Sequence, residues 1–232
     1  MRRAARDFQV FVKPVGPLCN LECRYCYYIR NQRPDSAMEG LRMPDELLER
    51  YIVQHIEASP GPVITFSWHG GEPTMAGLDF FRKIAALERR HCPRGRRIFN
   101  GMQTNGVLLD DAWCAFLAEE GFGVGLSLDG PEELHDEYRV ARGGQPTHRL
   151  VLRAFENLKR HGVACEILCA VHGGNAGYPL RLYRYFKDIG ARSISFLPVV
   201  EAPRADGAPS AAPSVPADAW GEFLCAIFDE WR

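Results

Sequence analysis

FQVFVKPVGPLCNLECRYC, residues 8–26, combines the two features from which the rest of the chain can be read. Phe8 to Lys13 has the apolar patterning of a strand, and Pro14, Gly16 and Pro17 stop it. Cys19, Cys23 and Cys26 then follow in a C-x3-C-x2-C spacing. Three thiolates on one short loop can converge on one metal centre. Iron–sulfur clusters with complete protein ligation usually take four cysteines. Three cysteines holding a four-iron cubane would leave one iron open to a small molecule. A structural zinc site is the plainer alternative, but it needs a fourth ligand and usually a second close cysteine pair. No second pair follows at such spacing; Cys165 and Cys169 are four apart in a strand pattern, on one of its faces. Three unrelated core cysteines would not need Asn20, Glu22 and Arg24 between them.

Beyond this stretch the patterning alternates strand and helix. Helices are expected at Pro44 to Ala58, Leu78 to Arg90, Asp110 to Glu119, Leu150 to Arg160 and Pro179 to Asp188. Pro44 suits a first helical position. Strands are expected at Val63 to Trp68, Arg97 to Gln103, Gly123 to Leu128, Val163 to Val171 and Ser193 to Val199. Roughly six βα units in a row imply an α/β fold with a parallel sheet, because parallel strands need crossover connections. The unusual residues fall after the strands, where α/β folds bind ligands. Glu201 to Ala219 is rich in Ala, Pro and Ser and reads as a loop or linker. A short apolar helix, Trp220 to Trp231, ends the sequence, as a truncated or partial chain would.

The 232 residues include 46% hydrophobic ones and carry a formal charge of -1. That suffices for one sizeable core and argues against nucleic-acid binding through a basic surface. No stretch has the length of a membrane span, and the N-terminus lacks a secretory pattern. A cytoplasmic location is the default expectation. Eight cysteines in such a chain suggest metal or redox chemistry before disulfides. Cys92, Cys114, Cys165, Cys169 and Cys225 lie mostly in apolar patterns and read as core residues.

Three further strand ends are rich in polar residues. His69-Gly70-Gly71-Glu72-Pro73 follows the second strand. Its glycines allow a close backbone approach, and Glu72 can accept from an ammonium group. A tight turn with a carboxylate at a helix start is the plainer reading. Ser127-Leu128-Asp129-Gly130-Pro131 ends the fourth strand, with His135, Asp136 and Arg139 soon after. A hydroxyl and a guanidinium fork suit a carboxylate; alternatively Ser127 caps a turn and Arg139 pairs with Asp136 or Glu137. Gln103-Thr104-Asn105-Gly106 closes the third strand with an ordinary turn signal.

The cysteine triplet, with an aromatic residue before its last cysteine, resembles the signature of the radical S-adenosylmethionine (SAM) superfamily. VKPVGPLCNLECRYCYY, SWHGGEPTMAGLDFF, MQTNGVLLDDAWC and GLSLDGPEELHDEYR are similar to the anaerobic sulfatase-maturating enzymes within it. The resemblance implies a partial (βα)6 barrel of parallel strands. It implies a [4Fe-4S] cluster on Cys19, Cys23 and Cys26, and S-adenosyl-L-methionine held by Tyr25, Gly70, Gly71, Glu72, Ser127, Arg139 and Val200. Phe196 to Val200 would pack on the adenine. Tyr28, His69 and Gln103 are candidates to face the substrate.

The implied reaction is reductive cleavage of the cofactor to a 5′-deoxyadenosyl radical. Oxidation of a Cys or Ser side chain of a sulfatase polypeptide to Cα-formylglycine then follows. A low-potential donor such as ferredoxin or flavodoxin would supply electrons; neither nucleic acid nor membrane is an expected partner. Residues 1–200 would form the radical SAM core, 201–219 a linker, and 220–232 the start of a C-terminal region. Full-length members carry a cysteine-rich SPASM domain there, which holds the family's catalytic base, so no catalytic residue is assigned in this sequence. Two other readings share these motifs: a radical SAM peptide maturase that installs thioether or other crosslinks, and a non-catalytic iron–sulfur module.

Overall fold

The computed structural model describes residues 3–28, 41–200 and 214–232. Its six strands are β1 Phe11–Val12, β2 Val63–Trp68, β3 Arg97–Thr104, β4 Gly123–Ser127, β5 Ala164–Val171 and β6 Ile194–Pro198. They pair in parallel and in chain order, β1 to β6. Among the described residues no ladder joins β6 back to β1, so the sheet is not closed into a full barrel.

Helices α1 Asp45–Ala58, α2 Leu78–His91, α3 Asp111–Glu119, α4 Glu132–Tyr138, α5 His148–Arg160, α6 Pro179–Asp188 and α7 Ala217–Trp231 complete the units. They cover one face of the sheet. In β5 the alternation is plain: Ile167, Cys169 and Val171 are buried, while Glu166, Leu168 and Ala170 stay partly open on the other face. In α5 the buried residues Val151, Ala154, Phe155 and Leu158 recur at helical spacing. The core between the layers includes Phe66, Trp68, Phe80, Phe81 and Phe122. Burying each such side chain contributes about 1.5–3 kcal/mol.

Several boundaries differ from expectation for physical reasons. β1 is confined to Phe11–Val12, the two residues that pair with Ser67 and Trp68 of β2. Pro44 is the N-cap of α1, in an extended conformation, and not its first residue. Asp110 caps α3 by accepting from the Trp113 N–H at 2.9 Å. Helix α4 and a 3-10 turn at Pro73–Ala76 were not expected.

Helix α7 packs on β6 and α6. Phe223 is buried against Phe196, and Arg184 pairs with Glu230. Of the expected core cysteines, Cys114 and Cys169 are buried, whereas Cys225 is exposed on α7. The linker at 201–219 falls largely outside the described residues, and its last three positions begin α7. No helix among the described residues is long and apolar enough to cross a membrane.

Candidate functional site

The cysteine loop is pinned on both sides at the carboxyl end of the sheet. On one side the chain leaving β2 runs along it: Gly71 N–H donates to Gly16 O at 2.9 Å and Glu72 N–H to Leu18 O at 2.8 Å. A Cβ on Gly71 would lie 2.1 Å from Leu18 O and 2.4 Å from Pro17 O. The glycine is therefore demanded by the cysteine loop itself. On the other side Glu22 N–H donates to Val140 O and Arg24 N–H to Tyr138 O, both at 2.8 Å.

The loop forms one wall of a cavity of about 330 Å³. Cys19, Cys23 and Cys26 line it together with Tyr25, Tyr28, His69, Gly70, Gly71, Gln103, Ser127, Arg139 and Val200. No other cysteine lines it among the described residues. Those residues also contain no set of three or more His, Cys, Asp or Glu closed around a single ion. Burial pushes the Cys19 thiol up to about 12 and the Cys23 thiol up to about 11, the latter partly offset by Arg139. Loading metal onto these thiols therefore releases protons.

Glu72 lies behind this wall and not on the cavity surface. It is fully buried, and its carboxylate accepts from Thr74 N–H at 3.1 Å, Thr74 Oγ1 at 2.6 Å, Thr104 Oγ1 at 2.7 Å and Asn105 N–H at 2.7 Å. Burial raises its pKa against the pull of those donors. Asn105 in turn donates through Nδ2 to Asn20 Oδ1 at 2.8 Å and lies 3.6 Å from Cys19 Sγ. Glu72 thus ties the end of β3 to the cysteine loop.

Arg139 pairs with neither Asp136 nor Glu137. Its Nε donates to Asp129 Oδ2 at 2.8 Å, and its Nη1 lies 4.0 Å from Cys23 Sγ. Asp129 also accepts from Ala170 N–H at 2.9 Å and from the Tyr25 hydroxyl. Burial would raise the Asp129 carboxyl, but the Arg139 guanidinium holds it below the usual carboxylate range. Burial would lower Arg139, but Asp129 keeps it charged.

Behind the ion pair sits His135, fully buried and pushed down to about 3 by burial. It is therefore neutral near pH 7. Its Nδ1 accepts from Asp129 N–H at 3.2 Å, which assigns the proton to Nε2. Nε2 donates to Thr147 Oγ1 at 3.1 Å, and Thr147 donates to Arg139 O at 2.7 Å. Asp136 accepts from Thr147 N–H and His148 N–H, capping α5.

The remaining candidates are dispersed around the cavity. The Tyr25 ring stacks on Tyr138 and tilts against His172. Tyr28 lines the cavity with its ring 4.2 Å from that of Tyr27 and under the Lys13 ammonium. His69 and Gln103 line both this cavity and a second one in the sheet's open face. Val200 is exposed at the rim. Phe196 points away from the cavity, into the α6–α7 core, while Leu197 to Val200 line it. Asp129, Thr104 and Asn105 were not singled out from the sequence. A carboxylate at a strand end, ten residues before an arginine, was the available signal for Asp129.

A sequence profile described as the Radical SAM superfamily matches residues 14–185. This chain belongs to the radical SAM superfamily. The cofactors of this radical SAM chain are accordingly a [4Fe-4S] cluster and SAM, and three thiols on one cavity wall fit the first of them. The chain is 42% identical to a serine-type anaerobic sulfatase-maturating enzyme of Bacteroides thetaiotaomicron, over 98% of this chain and 58% of the relative. It is 35% identical to a cysteine-type anaerobic sulfatase-maturating enzyme of Clostridium perfringens, over 96% of this chain and 60% of the relative. A solved structure described as native anSMEcpe with bound AdoMet and the Cp18Cys peptide matches with a TM-score of 0.86 and 35% identity, covering 96% of this chain and 59% of that one. The chain thus spans about three-fifths of the length of these relatives. SuiB of Streptococcus suis shares the fold at 15% identity and a TM-score of 0.67.

Proposed function

We propose that this chain is the catalytic core of an anaerobic sulfatase-maturating enzyme that oxidises a serine or cysteine of a sulfatase polypeptide to Cα-formylglycine. One observation carries the reading. Three thiols, with no fourth cysteine beside them, share a cavity with the Ser127 hydroxyl and the Arg139 guanidinium. That set suits a cluster with one open iron and a carboxylate-bearing ligand beside it.

Cys19, Cys23 and Cys26 would hold the cluster. Arg139, with its Nε engaged by Asp129, would meet the methionyl carboxylate through its terminal nitrogens, together with Ser127. Gly70 and Gly71 line the wall where the amino group would lie. Glu72 supports that wall from behind through Thr104 and Asn105. Tyr25, Leu197 and Val200 would flank the nucleoside. When bound, the cluster and SAM supply a carbon-centred radical that takes a hydrogen atom from the substrate Cβ.

Tyr28, His69 and Gln103 would face the substrate. The place of Tyr28 on the cavity wall supports this, as does the position of His69 and Gln103 between the two cavities. The electron donor would be a ferredoxin or flavodoxin, in the reducing cytoplasm that keeps such thiols free. The test is anaerobic reconstitution with iron and sulfide, followed by SAM, dithionite and serine or cysteine sulfatase peptides. A serine peptide should lose two hydrogen atoms; a cysteine peptide should also exchange its sulfur for oxygen. Cofactor cleavage without change in either peptide would refute the substrate assignment.

A further inference from the structure

Asn105 follows β3 directly, is buried beside the cysteine loop, and uses its side chain at both ends. Its Oδ1 accepts from Val107 N–H at 3.0 Å, the bond two residues along the chain that Asn and Asp make in turns. A backbone N–H can only donate, so this bond fixes which end of the amide is the oxygen. Nδ2 is thereby turned toward the cysteine loop. It donates to Asn20 Oδ1 at 2.8 Å and lies 3.6 Å from Cys19 Sγ. The backbone N–H of Asn105 is held in turn by Glu72 Oε2 at 2.7 Å.

The turn accounts for only half of this side chain. An aspartate would accept from Val107 N–H as well as an asparagine does, but it has no N–H to give. Gly106, with positive φ and with Leu126 Cδ1 2.4 Å from its Cβ position, is explained by the turn and its packing. What the turn does not explain is an amide donor aimed at a ligand sulfur. Leu21 N–H donates to the same sulfur at 3.4 Å. Hydrogen bonds to the ligand sulfurs are among the factors that set the potential of an iron–sulfur cluster.

We propose that Asn105 is a positioning residue that raises the reduction potential of the cluster, acting through Cys19 Sγ. The inference rests on the assignment of the cluster to Cys19, Cys23 and Cys26, and not on the sulfatase substrate. Reduction adds one electron from an external low-potential donor, and the extra negative charge is shared with the ligand sulfurs. An N–H dipole pointing at Cys19 Sγ favours that charge. The sign of the effect separates this role from a merely structural one. A cysteine loop loosened by a mutation would admit water, which favours the more highly charged, reduced state, and the potential would rise. Loss of the amide from an intact loop lowers it.

The test is a redox titration of the anaerobically reconstituted protein without SAM, with dithionite as the reductant and the cluster followed by electron paramagnetic resonance. Asn105→Ser retains an acceptor for Val107 N–H but is too short to reach Cys19. It should be about tenfold harder to reduce, the scale of a hydrogen bond to a charged group, which moves the midpoint about 59 mV negative. Asn105→Asp keeps the turn and adds a charge, so its midpoint should fall further. An unchanged or more positive midpoint in either variant, at full iron content, would overturn the proposal. A second measurement needs no variant, so a folding or loading defect does not obscure it. In the native protein with asparagine side chains labelled with nitrogen-15, pulsed resonance should show a labelled nitrogen coupled to the spin of the reduced cluster. Absence of that coupling overturns the proposal and leaves the cluster standing. Native protein that takes up no cluster removes both.

Discussion

Arg139 and Asp129 form a buried ion pair, Nε to Oδ2 at 2.8 Å, with Asp129 fully shielded from solvent. Tyr25 and the Ala170 N–H complete the carboxylate's partners. The pair joins three elements: the cysteine loop through Tyr25, the end of β4 through Asp129, and β5 through Ala170. It fixes one face of the guanidinium and leaves the other nitrogens for a ligand. Removing one member of such a pair strands a charge, whereas removing both is often tolerated.

Asp129→Asn should therefore destabilise the fold by about 3 kcal/mol and weaken SAM binding. The double variant Asp129→Asn with Arg139→Met should recover much of the stability and none of the binding. Thermal unfolding and anaerobic calorimetry read the two effects separately. If the double variant regained cofactor affinity, Arg139 would have no place in the site.

Gly71→Ala should displace the cysteine loop, because its Cβ would sit within 2.4 Å of both the Pro17 and Leu18 carbonyls. The expected result is a chain that folds but reconstitutes with markedly less iron. Gly77→Ala is the control. Gly77 has positive φ, which Gly71 does not, but no atom lies within 4 Å of its Cβ position, so it should lose some stability and keep its iron. Equal iron in both variants would show that the loop can yield.

The chain shows which parts of such a site are visible in sequence. Val63–Trp68 and Pro179–Asp188 form the expected elements at the expected limits, because their apolar periods are unbroken and turn residues flank them. Helix α4 was not visible. Its seven residues, EELHDEY, are mostly polar, and Pro131 before it provides no side-chain cap. The polar network was hidden for another reason. Asp129 meets Tyr25 from 104 residues away and Ala170 from 41, and no local pattern encodes such pairings. Gly71 was legible as a close-approach residue, and the space its missing Cβ leaves is taken by the Pro17–Leu18 backbone.

Glu88 supplies a pH signature independent of the cofactor. It is buried in α2, accepts from Asn100 Nδ2 at 2.7 Å through Oε2, and leaves Oε1 without a partner in the described structure. Burial pushes its carboxyl from 4.5 up to about 8. Between those values the folded chain holds a proton that the unfolded chain has lost. The associated stability is complete below pH 4.5 and falls as pH rises through 8. Glu88→Gln should remove this slope, on the order of 5 kcal/mol at most. Urea unfolding at pH 5 and about pH 8.5 measures it; parallel profiles for both proteins would contradict the assignment.

His135 should act in the opposite direction. Burial depresses its imidazole from 6.5 to about 3, so the unfolded chain takes up a proton first as pH falls. The stability involved is complete above pH 6.5 and is lost progressively toward pH 3. His135→Asn should flatten this acid limb. Because the ring links Asp129 N–H to Thr147 and Arg139 O, the variant should also weaken SAM binding at pH 7. An unchanged affinity would confine His135 to stability alone.

The most direct measurement of the central claim is the electron paramagnetic resonance spectrum of the reduced, anaerobically reconstituted chain, with and without SAM. A cluster on Cys19, Cys23 and Cys26 with an open iron should carry about four irons per chain. Its signal should shift when SAM is added and vanish in Cys23→Ala. A bound zinc ion in place of iron, or a cluster spectrum that SAM leaves untouched, would contradict the account.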